Sequence, residues 1–183
     1  MLKITEKENK LISAVIVSAG NSTRMGGINK QFLELDGAPV IVNTITIFQR
    51  CHMIDEIIIV TRESEIDAVA KLVEKHDFYK VNNIVAGGET RQLSVYEGVT
   101  STSNITDLVV IHDGARPLVT VKVIEETIKA AAEFGAAATG VKVKDTVKVV
   151  DDNDNIIDTP DRAYMRFIQT PQVFDADLIR AKK

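Results

Sequence analysis

Ile16-Val17-Ser18-Ala19-Gly20-Asn21-Ser22-Thr23-Arg24-Met25-Gly26-Gly27-Ile28-Asn29-Lys30-Gln31-Phe32 is the stretch on which the reading of this chain turns. It begins as a β-branched apolar run, bends at a glycine and continues in small polar residues. Arg24 and Lys30 follow within two turns' length of the bend. Backbone N–H groups freed by a tight turn can point at an anion, and small side chains let a phosphate come close. The two cations add charge that neutral amides cannot supply. The loop is not a dinucleotide fingerprint, because the second glycine would fall at Ser22. It is not a P-loop either, because no Gly-Lys-Ser/Thr follows at the required spacing. Spacing alone leaves two readings open, a phosphate cradle and an ordinary strand-to-helix turn with surface cations.

Outward from this loop the chain alternates two kinds of segment. Strands are expected over 13–18, 56–61, 81–86, 108–112 and 136–143. Several of these are continuously apolar, as strands covered on both faces are. Helices are expected over 40–49, with Pro39 in the first turn, and over 64–75, 90–100 and 120–134. In the second, Ile66, Val69, Ala70 and Val73 fall on one face. In the last, Val121, Ile124, Ile128 and Ala131 form the inward stripe. This alternation predicts an α/β fold with a mostly parallel sheet. Ligands of such sheets gather at the carboxyl ends of the strands. Gly20, the Gly87-Gly88 pair and Asp113-Gly114 each follow an expected strand, so the three loops should face one crevice.

Gly87-Gly88-Glu89-Thr90-Arg91-Gln92-Leu93-Ser94 reads either as a turn with Thr90 as helix N-cap or as a backbone that approaches a base or phosphate, with Arg91 and Ser94 behind it. In His112-Asp113-Gly114-Ala115-Arg116-Pro117, Asp113 either caps a loop or holds Mg²⁺ or a substrate hydroxyl. His112, at the end of an apolar run, is expected to be a hydrogen-bonded structural residue rather than a base. Residues 144–161 carry two β-prone runs around Asp151-Asp152-Asn153-Asp154-Asn155, the pattern of a hairpin. Its apolar surface is too small for it to stand alone, so it should pack on something, a second subunit for example.

The chain has 183 residues, 45% apolar and 26% charged, which is the composition of one ordinary globular domain. A net charge of −4 does not favour non-specific binding to nucleic acid or anionic membranes, so an anion site must rest on local cations. Cys51 is the single cysteine, which excludes an intrachain disulfide and suits a reducing, cytoplasmic setting. It and three scattered histidines give no zinc spacing. No apolar run approaches the roughly 20 residues that span a bilayer. Lys3, Lys7 and Lys10 before the run 11–19 have something of a secretory signal, but Glu6 and Glu8 sit among them. A solvated tail over 1–10 is the expectation.

Taken in order, Ala19-Gly20…Arg24-Met25…Lys30-Gln31-Phe32, Gly87-Gly88…Arg91-Gln92…Ser94-Val95, His112-Asp113-Gly114-Ala115-Arg116-Pro117, Asp145-Thr146 and Gln169-Thr170-Pro171-Gln172 resemble the 2-C-methyl-D-erythritol 4-phosphate cytidylyltransferases of the non-mevalonate isoprenoid pathway. The resemblance runs over 14–174; Asn29 stands where many relatives have proline. It implies a Rossmann-like three-layer nucleotidyltransferase fold and transfer of CMP from CTP to a polyol phosphate, with Mg²⁺ and release of pyrophosphate. It further implies that Arg24 and Lys30 stabilise the α-phosphate's transition state and that Ser18, Ala19, Gly20, Gly88, Arg91 and Ser94 hold the nucleotide. Asp113 would lie near the metal, ribose or acceptor, with Arg116, Thr146, Arg162 and Thr170 on the acceptor side. Arg162 would orient the attacking phosphate, and the 144–161 hairpin would be the arm through which a homodimer forms. Family members continue with an acidic segment, a glycine-containing stretch and an Asn-Ile-Lys-like motif. The helix begun at 174–183 therefore reads as a truncated end, and a nucleotide-binding fragment without turnover is one alternative. A ribitol- or related polyol-phosphate cytidylyltransferase is another. A Rossmann-type dehydrogenase is disfavoured by Ser22.

Overall fold

The computed structural model describes residues 10–20 and 30–181. Arg24, Asn29 and nearly all of the expected N-terminal tail lie outside the described residues.

In chain order the elements are β1 (Ile12–Val17), β2 (Glu34–Leu35), β3 (Ala38–Pro39), α1 (Val40–Arg50), β4 (Glu56–Thr61), α2 (Ile66–Lys75), β5 (Val81–Ala86), α3 (Arg91–Thr100), β6 (Leu108–Asp113), α4 (Val121–Phe134), β7 (Ala136–Lys142), β8 (Val149–Val150), β9 (Ile156–Asp158), β10 (Arg166–Asp175) and α5 (Ala176–Arg180). Short 3-10 turns occupy Glu63–Glu65 and Arg162–Tyr164. The main sheet has the order β5-β4-β1-β6-β10-β7. β5, β4, β1 and β6 run parallel, while β10 is antiparallel to both β6 and β7. The sheet is thus mostly parallel, as the alternation of strands and helices predicts.

β1 sits where the order of crossovers reverses, with β4 on one side and β6 on the other. Its side chains alternate between two cores. Ile12, Ala14 and Ile16 meet α1, α2 and α4 through Ile41, Ile45, Phe48, Val69, Ile124 and Ile128. Val15 faces α3 and α5, packing with Ile58, Val60, Val109, Ile111, Val99 and Ala176. Helices therefore cover both faces, giving three layers. This is the physical reason for the apolar run 14–17 in β1 and for the burial of all six residues of β4.

Four local expectations change. Pro39 belongs to β3 and precedes the first helical residue, because Asp36 and Gly37 (φ 54° and 77°) form a two-residue turn joining β2 to β3. The helix expected from residue 64 starts as the 3-10 turn, and α2 proper begins at Ile66. β10 is a strand that sequence reasoning did not foresee. Pro171 lowers strand expectation because it cannot donate to a ladder. Here it falls at the irregularity between Ile168 and Gln172 in the β10–β7 pairing. Finally, Phe174 and Asp175 belong to β10, so α5 begins at Ala176, with the Asp175 carboxylate accepting from the N–H groups of Asp177 and Leu178.

The expected hairpin is present. Val149 pairs with Asp158 and Val150 with Ile156. Asp151 closes its turn by accepting from the N–H groups of Asn153 and Asn155, each at 2.9 Å. Among the described residues no helix is long and apolar enough to cross a membrane.

Candidate active site

The carboxyl ends of β1, β4, β5 and β6 open onto one cavity of about 990 Å³. Ala19, Gly20, Lys30, Gly88, Arg91, Ser94, Asp113 and Arg116 all line it. The three loops expected to share a crevice do share one. A second cavity of about 380 Å³ adjoins it through Ala115 and Arg116, and is lined by Thr170, Thr139 and His112. Thr146 and Arg162 are not among the described residues lining either cavity. Arg162 lies in the 3-10 turn beyond the hairpin and donates to the Lys144 carbonyl at 2.6 Å.

The first two loops interlock. Ser18 is buried, and both its N–H and its hydroxyl donate to the Val60 carbonyl at 2.7 Å. Its side chain therefore fastens the end of β1 to β4 and does not line the cavity. The Gln31 amide donates to the Ser18 carbonyl and ties the far end of the loop back to its start. Gly87 lies against Ala19. A Cβ at Gly87 would overlap the Ala19 Cβ and stand 2.7 Å from Ser94 Oγ, so only glycine permits this approach. Ser94 Oγ donates to the carbonyls of Thr90 (2.9 Å) and Gly88 (3.2 Å), fixing the second loop on α3. Thr90 is the N-cap of α3, accepting from the Leu93 N–H. The turn reading and the cavity-lining reading of this loop hold together.

Asp113 is the electrostatic centre of the site. Its Oδ1 accepts from Arg91 Nε (3.2 Å) and Nη2 (2.9 Å), and its Oδ2 accepts from Arg116 Nε at 3.0 Å. Its backbone N–H donates to Thr170 Oγ1 at 3.2 Å. Burial pushes the Asp113 carboxyl pKa up, but the hydrogen bonds and charges of Arg91 and Arg116 outweigh it and hold the group below its ordinary value. An ionised carboxylate thus keeps two guanidinium groups at the cavity wall.

The neighbouring His112 points into the opposite core. It is fully buried, with its ring 5.0 Å from that of Phe48. Nε2 lies 3.2 Å from the Arg116 carbonyl, which can only accept, so Nε2 carries the proton. Nδ1 has no hydrogen-bond partner among the described residues. Burial drives the His112 pKa down to about 4, which leaves a neutral residue that supports the loop and suits the structural reading.

Among the described residues no group of three or more His, Cys, Asp or Glu side chains could hold a metal ion. Both Asp113 oxygens are engaged by arginines. Mg²⁺ takes few protein ligands and several waters when it travels with substrate phosphates, a mode of binding that needs no cage of carboxylates.

Sequence reasoning missed Gln31 as a side chain that closes the loop, and Arg62 altogether. Arg62 follows the end of β4 and lines the same cavity. The rule that selected the ends of β1, β5 and β6 applies equally to β4, and would have found it.

A family model described as 2-C-methyl-D-erythritol 4-phosphate cytidylyltransferase matches residues 12–183. A protein of that name from Caldanaerobacter subterraneus subsp. tengcongensis is 50% identical over 170 residues, covering 92% of this chain and 75% of the relative. One from Clostridium botulinum (strain Eklund 17B) is 46% identical with the same coverage. The crystal structure of 4-diphosphocytidyl-2C-methyl-D-erythritol synthase from Anaerococcus prevotii superposes with a TM-score of 0.84 at 38% identity, covering 94% of this chain and 73% of that one.

Proposed function

Since the chain belongs to the 2-C-methyl-D-erythritol 4-phosphate cytidylyltransferase family, we infer that its cavity holds CTP and that a phosphate oxygen of 2-C-methyl-D-erythritol 4-phosphate attacks the α-phosphorus. A new P–O bond forms there. The bond from the α-phosphorus to the bridging oxygen breaks, and pyrophosphate leaves with that electron pair. The products are 4-diphosphocytidyl-2-C-methyl-D-erythritol and pyrophosphate. The observation that carries this reading is the one cavity at the strand ends, where both glycine loops and Lys30 meet the Arg91–Asp113–Arg116 cluster.

The chemistry suits these residues. A phosphate is already a nucleophile at neutral pH, so no strong base is needed. The difficulty is electrostatic, because two polyanions must meet while charge shifts to the leaving group. Fixed cations meet that need, and removing one such group typically costs on the order of 10²–10³ in rate. Lys30, with Arg24 from the sequence motif, acts on the α-phosphate. Ser18, Ala19, Gly20, Gly88, Arg91 and Ser94 form the nucleotide side, with Ser18 acting through its hold on β4. Asp113, Arg116 and Thr170 face the acceptor. When bound, Mg²⁺ neutralises triphosphate and pyrophosphate charge. A reducing cytoplasm suits Cys51, which is buried and free.

Residues 1–183 are read as one nucleotidyltransferase domain, with 144–161 as a dimerisation arm. The arm leaves Val149, Val150, Ile156 and Ile157 exposed, and Phe167 of β10 and its β7 partner Val141 are exposed as well. A second copy covering it would bring Thr146 and Arg162 to the neighbour's acceptor.

Incubation with CTP, Mg²⁺ and a panel of acceptor phosphates tests the assignment. Pyrophosphate release is expected with 2-C-methyl-D-erythritol 4-phosphate and at least tenfold less with ribitol phosphate. Preference for ribitol or another polyol phosphate would overturn the acceptor assignment.

A further inference from the structure

The β4–α2 turn carries the cavity's unassigned cation. Arg62 Nη2 donates to the Gly20 carbonyl at 2.6 Å, across 42 residues of sequence. Nη1 stands 3.4 Å from Glu65 Oε1, a pairing made possible by the 3-10 turn Glu63–Glu65. The other oxygen of Glu65 accepts from the buried Thr61 hydroxyl at 3.1 Å. Arg62 Nε is enclosed, without a partner among the described residues. The guanidinium is therefore held at two points, by Gly20 and by Glu65.

Among the described residues, a Cβ built at Gly20 would meet nothing within 4 Å. The described contact that holds this residue is the Arg62 hydrogen bond to its carbonyl. The bond restrains the carbonyl end of Gly20, a residue that lines the cavity. Hydrogen bonds from charged donors are the stronger kind, and a guanidinium can engage a carbonyl and a carboxylate at once where an ammonium is a point charge.

We propose that Arg62 is a positioning residue for the nucleotide, holding the Gly20 carbonyl, with Glu65 and Thr61 aiming its guanidinium. This rests on the reading that the cavity binds CTP. Gly20 is on the nucleotide side, so loss of Arg62 should act on CTP and not on the acceptor phosphate.

The test is steady-state kinetics and CTP calorimetry on Arg62→Met, Arg62→Lys and Glu65→Gln beside the parent protein. Arg62→Met should raise the KM for CTP and weaken CTP binding about tenfold or more, with the acceptor KM within twofold and the melting temperature little changed. Arg62→Lys should recover part of the loss, and Glu65→Gln should fall between parent and Arg62→Met. Unchanged CTP affinity in Arg62→Met, or equal rises in both KM values, would overturn the proposal. Should Arg62→Met fail to fold, the comparison of Arg62→Lys and Glu65→Gln carries the same decision. If the parent protein binds no CTP, the functional reading fails instead, and the two failures are distinguishable.

Discussion

His112 shows how one buried side chain sets a pH limit on the fold. The neutral imidazole fits between Phe48 and the Arg116 carbonyl, and protonating it there would bury a charge beside a guanidinium. Its folded pKa, about 4, lies below the ordinary value near 6.5. Over that interval the unfolded chain binds more protons than the folded one. Stability is therefore full above pH 6.5 and is lost as pH falls towards 4, by about 3 kcal/mol in total. Urea titrations at pH 7.5, 6.5, 5.5 and 4.5 should show this loss, and His112→Asn should flatten its slope. An equal slope in both proteins would assign the loss to other groups. At the same scale, Asp113 shows why a carboxylate can serve an anion site. By bonding one arginine through each oxygen it presents two cations to the cavity while its own charge offsets their mutual repulsion.

At the scale of elements, α3 sits unusually close to the sheet because Gly98 faces it. A Cβ at Gly98 would overlap Val15 Cγ1 and stand 2.7 Å from Val60 Cγ2. Alanine would gain up to ~1 kcal/mol in helix propensity, but overpacking a filled core costs about 1–3 kcal/mol. The contacts here are the fully buried, β-branched side chains of Val15 and Val60, which cannot yield, so overpacking wins. Gly98→Ala is expected to lower stability by roughly 1–2 kcal/mol, read as a shift in urea midpoint. An unchanged or raised midpoint would mean that α3 can lift freely. Because α3 carries Thr90, Arg91 and Ser94, its seating also sets where the second glycine loop lies. β10 has a similar double duty. It closes the sheet between β6 and β7 and delivers Thr170 to the backbone of Asp113.

For the whole molecule, the arm and the far edge of the sheet leave apolar surface uncovered. Ile157, in a hairpin that could not be stable by itself, is 64% exposed, and Phe167 of β10 is 58% exposed. Sedimentation should find the protein dimeric. Ile157→Asp, which places a charge on that surface, should shift it to monomer, lower turnover at least tenfold and leave CTP binding intact, because Arg162 would no longer reach the neighbour's acceptor. A variant that stays dimeric, or a monomeric parent with full turnover, would overturn the arm's assignment.

By itself the sequence determined the layered α/β plan, the order of its alternating strands and helices, and the edge at which three loops would meet. These follow from periodicity and turn chemistry, which act between residues a few positions apart. β4 and β5 were readable to their end residues for that reason. Tertiary structure alone decided which groups touch. Ser18 turns to Val60, Arg91 reaches Asp113, and Arg62 reaches Gly20, over 42, 22 and 42 residues of chain. β10 became a strand, despite Pro171, because two neighbours offered it backbone partners. Such contacts depend on which strands lie side by side, and no local window of sequence contains that.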